Sequence, residues 1–182
     1  MALSATIYKF NIDLSNMDRH QYTSISQHVA QHPSETLERM VLRLLAYCVN
    51  MHEQLSFTKG LSSDTEPDLW QKTYSDEIEQ WIELGLPDFK RIKKAASLSK
   101  QVKLYTYGGQ AVDQWWKLVQ KDCQKLKNVD VYRFDMASVN RFASMIERSM
   151  RISVMIQDGL TTISWDDQML EFPMTVMLEQ TL

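Results

Sequence analysis

The stretch EPDLWQKTYSDEIEQWIELGLPDFKRIKKA, residues 66–95, decides how the rest of the chain is read. It holds two strand-like runs, PDLWQKTY and IEQWIELG, around a polar turn, and ends in a basic helical run opened by Pro87 and Asp88. A two-residue turn at Ser75-Asp76 sets Tyr74 opposite Glu77, so opposed residue numbers sum to 151. Lys72 then falls opposite Glu79, Trp70 opposite Trp81 and Asp68 opposite Glu83. The first two are favourable cross-strand pairs, each worth about 0.2–1 kcal/mol. The third brings two carboxylates together, which is unfavourable unless one is protonated or a cation lies between them. Hard carboxylate oxygens suit Mg²⁺ or Mn²⁺. The other face of the hairpin carries Leu69, Ile78, Ile82 and Leu84, which suit a packed core.

The surrounding chain is that of an ordinary globular protein. Its 182 residues are 44% hydrophobic and 24% charged, enough to bury a core, and residues 1–182 read as one domain. The net charge of -3 excludes a generally basic nucleic-acid binder and leaves room only for a local basic patch. Cys48 and Cys123 lack metal-ligand spacing and read as reduced thiols of a cytoplasmic protein. His20, His28, His32 and His52 form no metal-binding spacing either. The N-terminal MALSATIYKFNIDLS alternates in polarity, unlike a signal peptide, and no apolar run approaches membrane-spanning length.

Strand alternation marks ATIYKFNIDLS, while HQYTSISQHVAQ fits either a strand or a short helix. HPSETLERMVLRLLAYCVNMHEQL is the clearest helix, begun near Pro33 and Ser34. SFTKG is a short strand, PDFKRIKKAASLS a helix, QVKLYTYG a strand, AVDQWWKLVQKDCQKLKN a helix and VDVYRF a strand. ASVNRFASMIERSM reads as a helix. RISVMIQDGLTTISW reads as a hairpin turned on Asp158-Gly159. MLEFPMTVML is strand-like. The adjacent Trp115 and Trp116 cannot both face a core fully. The pattern predicts an α/β domain with a mixed central sheet flanked by helices and extra hairpins.

HPSETLERM, EPDLW and WIELGLPDFKRIKKA resemble the bacterial YaeQ family, and the similarity runs the full chain. That family is grouped with the PD-(D/E)XK nuclease superfamily. The resemblance implies a restriction-endonuclease-like mixed sheet with a divalent-metal site on two adjacent central strands. The superfamily's Pro-Asp falls on Pro67-Asp68 and its strand-borne acid on Glu83, the acids reached above from strand pairing. The superfamily's lysine, two residues after the acid, falls on Gly85, a departure that removes a charge thought to orient water and stabilise the phosphate.

The helix after Glu83 offers substitutes. With Phe89, Ile92 and Ala96 as its apolar stripe, Lys93 flanks the stripe and is the first choice, Lys90 the second, while Arg91 and Lys94 face away. Members of the superfamily also draw an acid from the first long helix, for which Glu35 and Glu38 are the candidates. Glu35, placed in the first turn, also suits the helix dipole and pairing with Arg39. Two functions follow as expectations. One is a Mg²⁺- or Mn²⁺-dependent phosphodiesterase acting on nucleic acid. The other is a non-catalytic descendant that binds a nucleic acid or a protein partner.

Overall fold

The computed structural model describes residues 4–59 and 65–180. They form an α/β structure with two mixed sheets, divided between two compact units, where one central sheet was expected. The Gly60 end of the SFTKG run lies outside the described residues.

The first unit comprises Met1–Asn50 and Asp135–Met174. Alternation in ATIYKFNIDLS becomes β1 (Thr6–Asn16), with Tyr8, Phe10, Ile12 and Leu14 buried. The ambiguous segment is a strand, β2 (Gln21–Gln31), paired antiparallel to β1 over an unbroken register from Thr6↔Gln31 to Asn16↔Gln21. Its weak polarity pattern has a cause, since β2 is an edge strand with only Val29 buried. On the other side of β1 lies β8 (Ser149–Gln157), in parallel, followed by β9 (Leu160–Trp165) and β10 (Gln168–Phe172). The β8–β9 turn is at Asp158-Gly159 as predicted. Both residues have positive φ, 52° and 75°, the signature of a type I′ hairpin. The Asp18 carboxylate accepts both turn N–H groups at 2.7 and 2.9 Å.

Two helices belong to this unit. Helix α1 (Leu37–Val49) is capped by Thr36, whose hydroxyl accepts the Arg39 N–H. It therefore starts later than Pro33-Ser34, and Glu35 precedes the cap. Glu38, not Glu35, is the acid of the first turn. Helix α4 (Met136–Ala143) is shorter than predicted, because Ser149 and Met150 are taken into β8 by pairing with Lys9 and Phe10.

The second unit comprises Met51–Phe134 and Thr175–Leu182. Its six strands run in the order β11 (Met174–Leu178), β7 (Val129–Phe134), β6 (Ser99–Thr106), β5 (Ile78–Leu84), β4 (Leu69–Lys72) and β3 (Leu55–Phe57). β5, β6 and β7 are parallel, whereas β3 and β4 are antiparallel to their neighbours. Trp81, Val102, Leu104, Val129 and Val131 pack with Ile92 and Ala95 of α2 (Phe89–Leu98) and with Trp115, Val119 and Cys123 of α3 (Gly109–Cys123). Only Trp115 of the tryptophan pair is buried, and its Nε1–H reaches the Pro87 carbonyl at 2.7 Å. Cys48 and Cys123 are both free and buried, and burial pushes their thiols up to about 12 and about 11, away from reactivity. Among the described residues no helix is long and apolar enough to cross a membrane.

Candidate functional site

The site is built on the β4–β5 hairpin and the start of α2. The pairing sum holds in the body of the hairpin: Leu69↔Ile82, Trp70↔Trp81 and Gln71↔Gln80. It fails at both ends. Beyond Gln71 the register shifts, so Lys72 lies opposite Ile78. The cause is the turn. Thr73 N–H donates to the Glu77 carbonyl, and the Thr73 hydroxyl accepts the N–H of Ser75 and of Glu77, making a loop longer than two residues. Lys72 instead lies over the Trp70 ring, its Nζ 3.9 Å from the centroid, and Glu79 pairs with Lys100 at 2.5 Å.

At the other end, Asp68 lies just before β4. Its N–H donates to the Ile82 carbonyl at 3.0 Å, one residue off the ladder. Its Oδ2 accepts the Leu84 N–H at 2.8 Å. Glu83 is the penultimate residue of β5, in register with Leu104. Its Oε2 accepts the Trp81 indole N–H at 2.9 Å and its Oε1 accepts Arg91 Nε–H at 2.6 Å. Asp68 is 3% exposed and Glu83 9%.

Arg91 is the cation that reaches Glu83, which corrects the expectation that it faces away. The buried residues of α2 are Ile92 and Ala95, so the apolar stripe is centred nearer Ala95 than Ala96. Arg91 stands one turn before Ala95 and is carried inward with it. Its N–H is fixed by the Asp88 carboxylate at 2.8 Å, its terminal nitrogen donates to the Glu66 carbonyl at 2.8 Å, and its guanidinium lies 6.0 Å from the Trp81 ring centroid. Lys90, Lys93 and Lys94 are exposed. Pattern reading missed Arg91, although the Asp88 cap three residues earlier already fixed where the helix begins.

At Gly85, where the nuclease resemblance expects a lysine, the backbone disfavours any side chain. Its φ is +111°, a conformation L side chains rarely adopt, and its N–H donates to the Tyr105 carbonyl at 3.0 Å. Space for a Cβ is open there, so the backbone is the constraint.

Glu35 and Glu38 belong to the first unit. Glu35 is buried, and its carboxylate is gripped by Arg43 through Nε at 2.8 Å and Nη2 at 2.6 Å, and by Arg39 at 2.9 Å. The expected pairing with Arg39 is thus present. Glu38 is half-buried in the first turn of α1.

Among the described residues, no group of three or more His, Cys, Asp or Glu side chains is placed to share an ion. Mg²⁺ needs fewer, since it takes one or two carboxylates and keeps several waters. Burial is the largest influence on Glu83 and raises its proton affinity. It outweighs the hydrogen bonds from Arg91 and Trp81 and the charge of Arg91, and the nearby Asp68 charge adds to the rise. The Glu83 charge is therefore undercompensated even beside Arg91.

The same imbalance has a sign. Because the folded state holds the Glu83 proton more tightly than the unfolded chain, its stabilising contribution is complete below the ordinary value of 4.5. It is lost as pH rises through the raised value. Glu83→Gln stays neutral throughout. In chelator, the stability of Glu83→Gln relative to wild type should therefore rise as pH increases from about 4 to 7. Urea unfolding across that range checks this, and a flat or opposite difference would contradict it.

Comparison with known proteins adds family information. Residues 1–174 match the family model described as "YaeQ protein". The chain is 42% identical to the "Uncharacterized protein YaeQ" of Escherichia coli (strain K12) over 175 residues, covering 96% of this chain and 97% of that one. It is 39% identical to that of Salmonella typhi, with the same coverage. The crystal structure of the YaeQ protein from Xanthomonas axonopodis pv. citri superposes with a TM-score of 0.92 at 37% identity, covering 96% of this chain and 98% of that one. The Pseudomonas syringae YaeQ protein gives 0.91 at 35% identity, covering 96% and 97%.

Proposed function

The chain belongs to the YaeQ family, and from that premise we propose that it is a nuclease-type, divalent-metal-dependent phosphodiesterase acting on nucleic acid. The observation that carries this reading is the pair of buried carboxylates, Asp68 just before β4 and Glu83 on the neighbouring antiparallel β5, beside a basic helix. Placement in the PD-(D/E)XK superfamily is part of the proposal, supported by Pro67-Asp68 and Glu83 at the motif positions. Asp68 and Glu83 would hold Mg²⁺ or Mn²⁺, which supplies a Lewis acid and a water of lowered pKa. Leu84 N–H orients Asp68, and the Trp81 indole orients Glu83. Lys90 and Lys93, exposed on α2, attract the phosphate and stabilise its charge in place of the lysine that Gly85 excludes.

The test is thermal unfolding with and without Mn²⁺. A ligand at 100 times its Kd that binds only the folded state stabilises it by about 2.7 kcal/mol. Wild type should melt at higher temperature with Mn²⁺, and Glu83→Ala should not respond. Equal responses would rule out the site.

A second reading is a non-catalytic binding module. The observation favouring it is the Arg91–Glu83 ion pair, which already offers Glu83 a positive charge. It predicts no Mn²⁺ response in wild type, with nucleic-acid or protein binding retained.

A further inference from the structure

We propose that Arg91 is a latch on the metal position. Its guanidinium holds Glu83 where a divalent cation would sit, and when displaced it becomes a ligand for an anionic phosphate. The inference rests on the metal reading above and assigns the regulation of that site.

The geometry supports exchange at a single oxygen. Arg91 Nε–H is on Oε1 of Glu83 at 2.6 Å, while Oε2 is held separately by the Trp81 indole at 2.9 Å. Glu83 therefore stays oriented when Oε1 changes partner. A guanidinium and a divalent cation repel each other, and this oxygen cannot serve both closely. Arginine also cannot leave by losing its proton, so displacement delivers a full positive charge beside the site. The Arg91 side chain is 26% exposed, which gives the guanidinium room to move, and its backbone stays tied to the Asp88 cap. One of its terminal nitrogens donates to the neutral Glu66 carbonyl. A planar fork of this kind matches a phosphate better than a lysine does. Lys90, Lys93 and Lys94 on the same helix add exposed positive charge.

The expected size follows from population arithmetic. A latch closed roughly nine-tenths of the time weakens apparent metal affinity about tenfold. Mn²⁺ calorimetry on full-length wild type and Arg91→Ala, each first shown to be folded by its melting curve, tests this. Arg91→Ala should bind Mn²⁺ about tenfold more tightly, and with Mn²⁺ saturating both proteins it should bind a short oligothymidylate several-fold more weakly, about the loss of one phosphate contact. Arg91→Lys keeps the charge without the fork. It should bind Mn²⁺ more tightly than wild type by a smaller factor, and this comparison decides the matter if Arg91→Ala does not fold. Mn²⁺ affinity that is unchanged or weaker in both folded variants overturns the latch alone. Mn²⁺ binding to none of the three proteins overturns the metal reading, and the latch with it.

Discussion

Glu35→Ala is expected to lower the unfolding free energy by about 3–5 kcal/mol, the cost of leaving a buried charge without its partner. Arg43 is 4% exposed, and two of its nitrogens are on Glu35. It also donates to the Ala30 carbonyl, tying α1 to the end of β2, and the His32 N–H reaches Glu35 at 3.3 Å. Removing the carboxylate leaves the guanidinium in place with most of its compensation gone. Arg39 sits at the edge of the cluster, with its side chain 13% exposed, so Arg39→Ala should lose much less. An apolar double replacement, Glu35→Leu with Arg43→Met, should recover most of the loss, since it removes both charges together. Urea unfolding at neutral pH measures all four proteins. A loss below about 1 kcal/mol in Glu35→Ala would mean that the pair holds nothing together.

The second large effect concerns chemistry. In Mg²⁺ or Mn²⁺, cleavage of single-stranded, double-stranded or structured DNA and RNA should fall to background in Asp68→Ala and in Glu83→Ala, because the Lewis acid and its water are lost together. Arg91→Ala should keep a residual rate, lower by about a hundredfold, as expected when one group that stabilises phosphate charge is removed. Lys93→Ala and Lys90→Ala should cost less, since both side chains are exposed, and Lys94→Ala least. Tighter Mn²⁺ binding together with slower turnover in Arg91→Ala would separate its two roles. If highly purified wild type cuts none of these substrates, or Glu83→Ala cuts as well as wild type, the phosphodiesterase proposal is wrong.

How much of this was legible depends on whether the information was local. Trp70 opposite Trp81 could be read from side-chain complementarity, and the structure has that pair. The turn could not, because it is set by the Thr73 hydroxyl accepting two backbone N–H groups rather than by a cross-strand pair. The candidate acids Asp68 and Glu83 are both buried, but the Asp68 side chain accepts the Leu84 N–H, a bond that pairing arithmetic ignores. Arg91 was lost to a stripe set one residue too far on, and one residue is about 100° on a helix. The division into two sheets was hidden for a different reason. Alternation in β1 shows that it is a strand with a buried face, but not that β8 lies beside it.

That pairing has a consequence for synthesis. Lys9 meets Ser149, 140 residues later (149 − 9). At ordinary translation speeds that interval is on the order of ten seconds. Through it, the β1–β2 pair carries an unpaired inner edge, the kind that recruits other strands. The second unit waits as well, because its edge strand β11 follows Pro173, after β8, β9 and β10 have been made. A nascent chain halted anywhere between Asn50 and Met174 therefore lacks strands from at least one sheet. The two sheets are expected to close late and nearly together, and partial chains should be the species that chaperones hold and proteases clear.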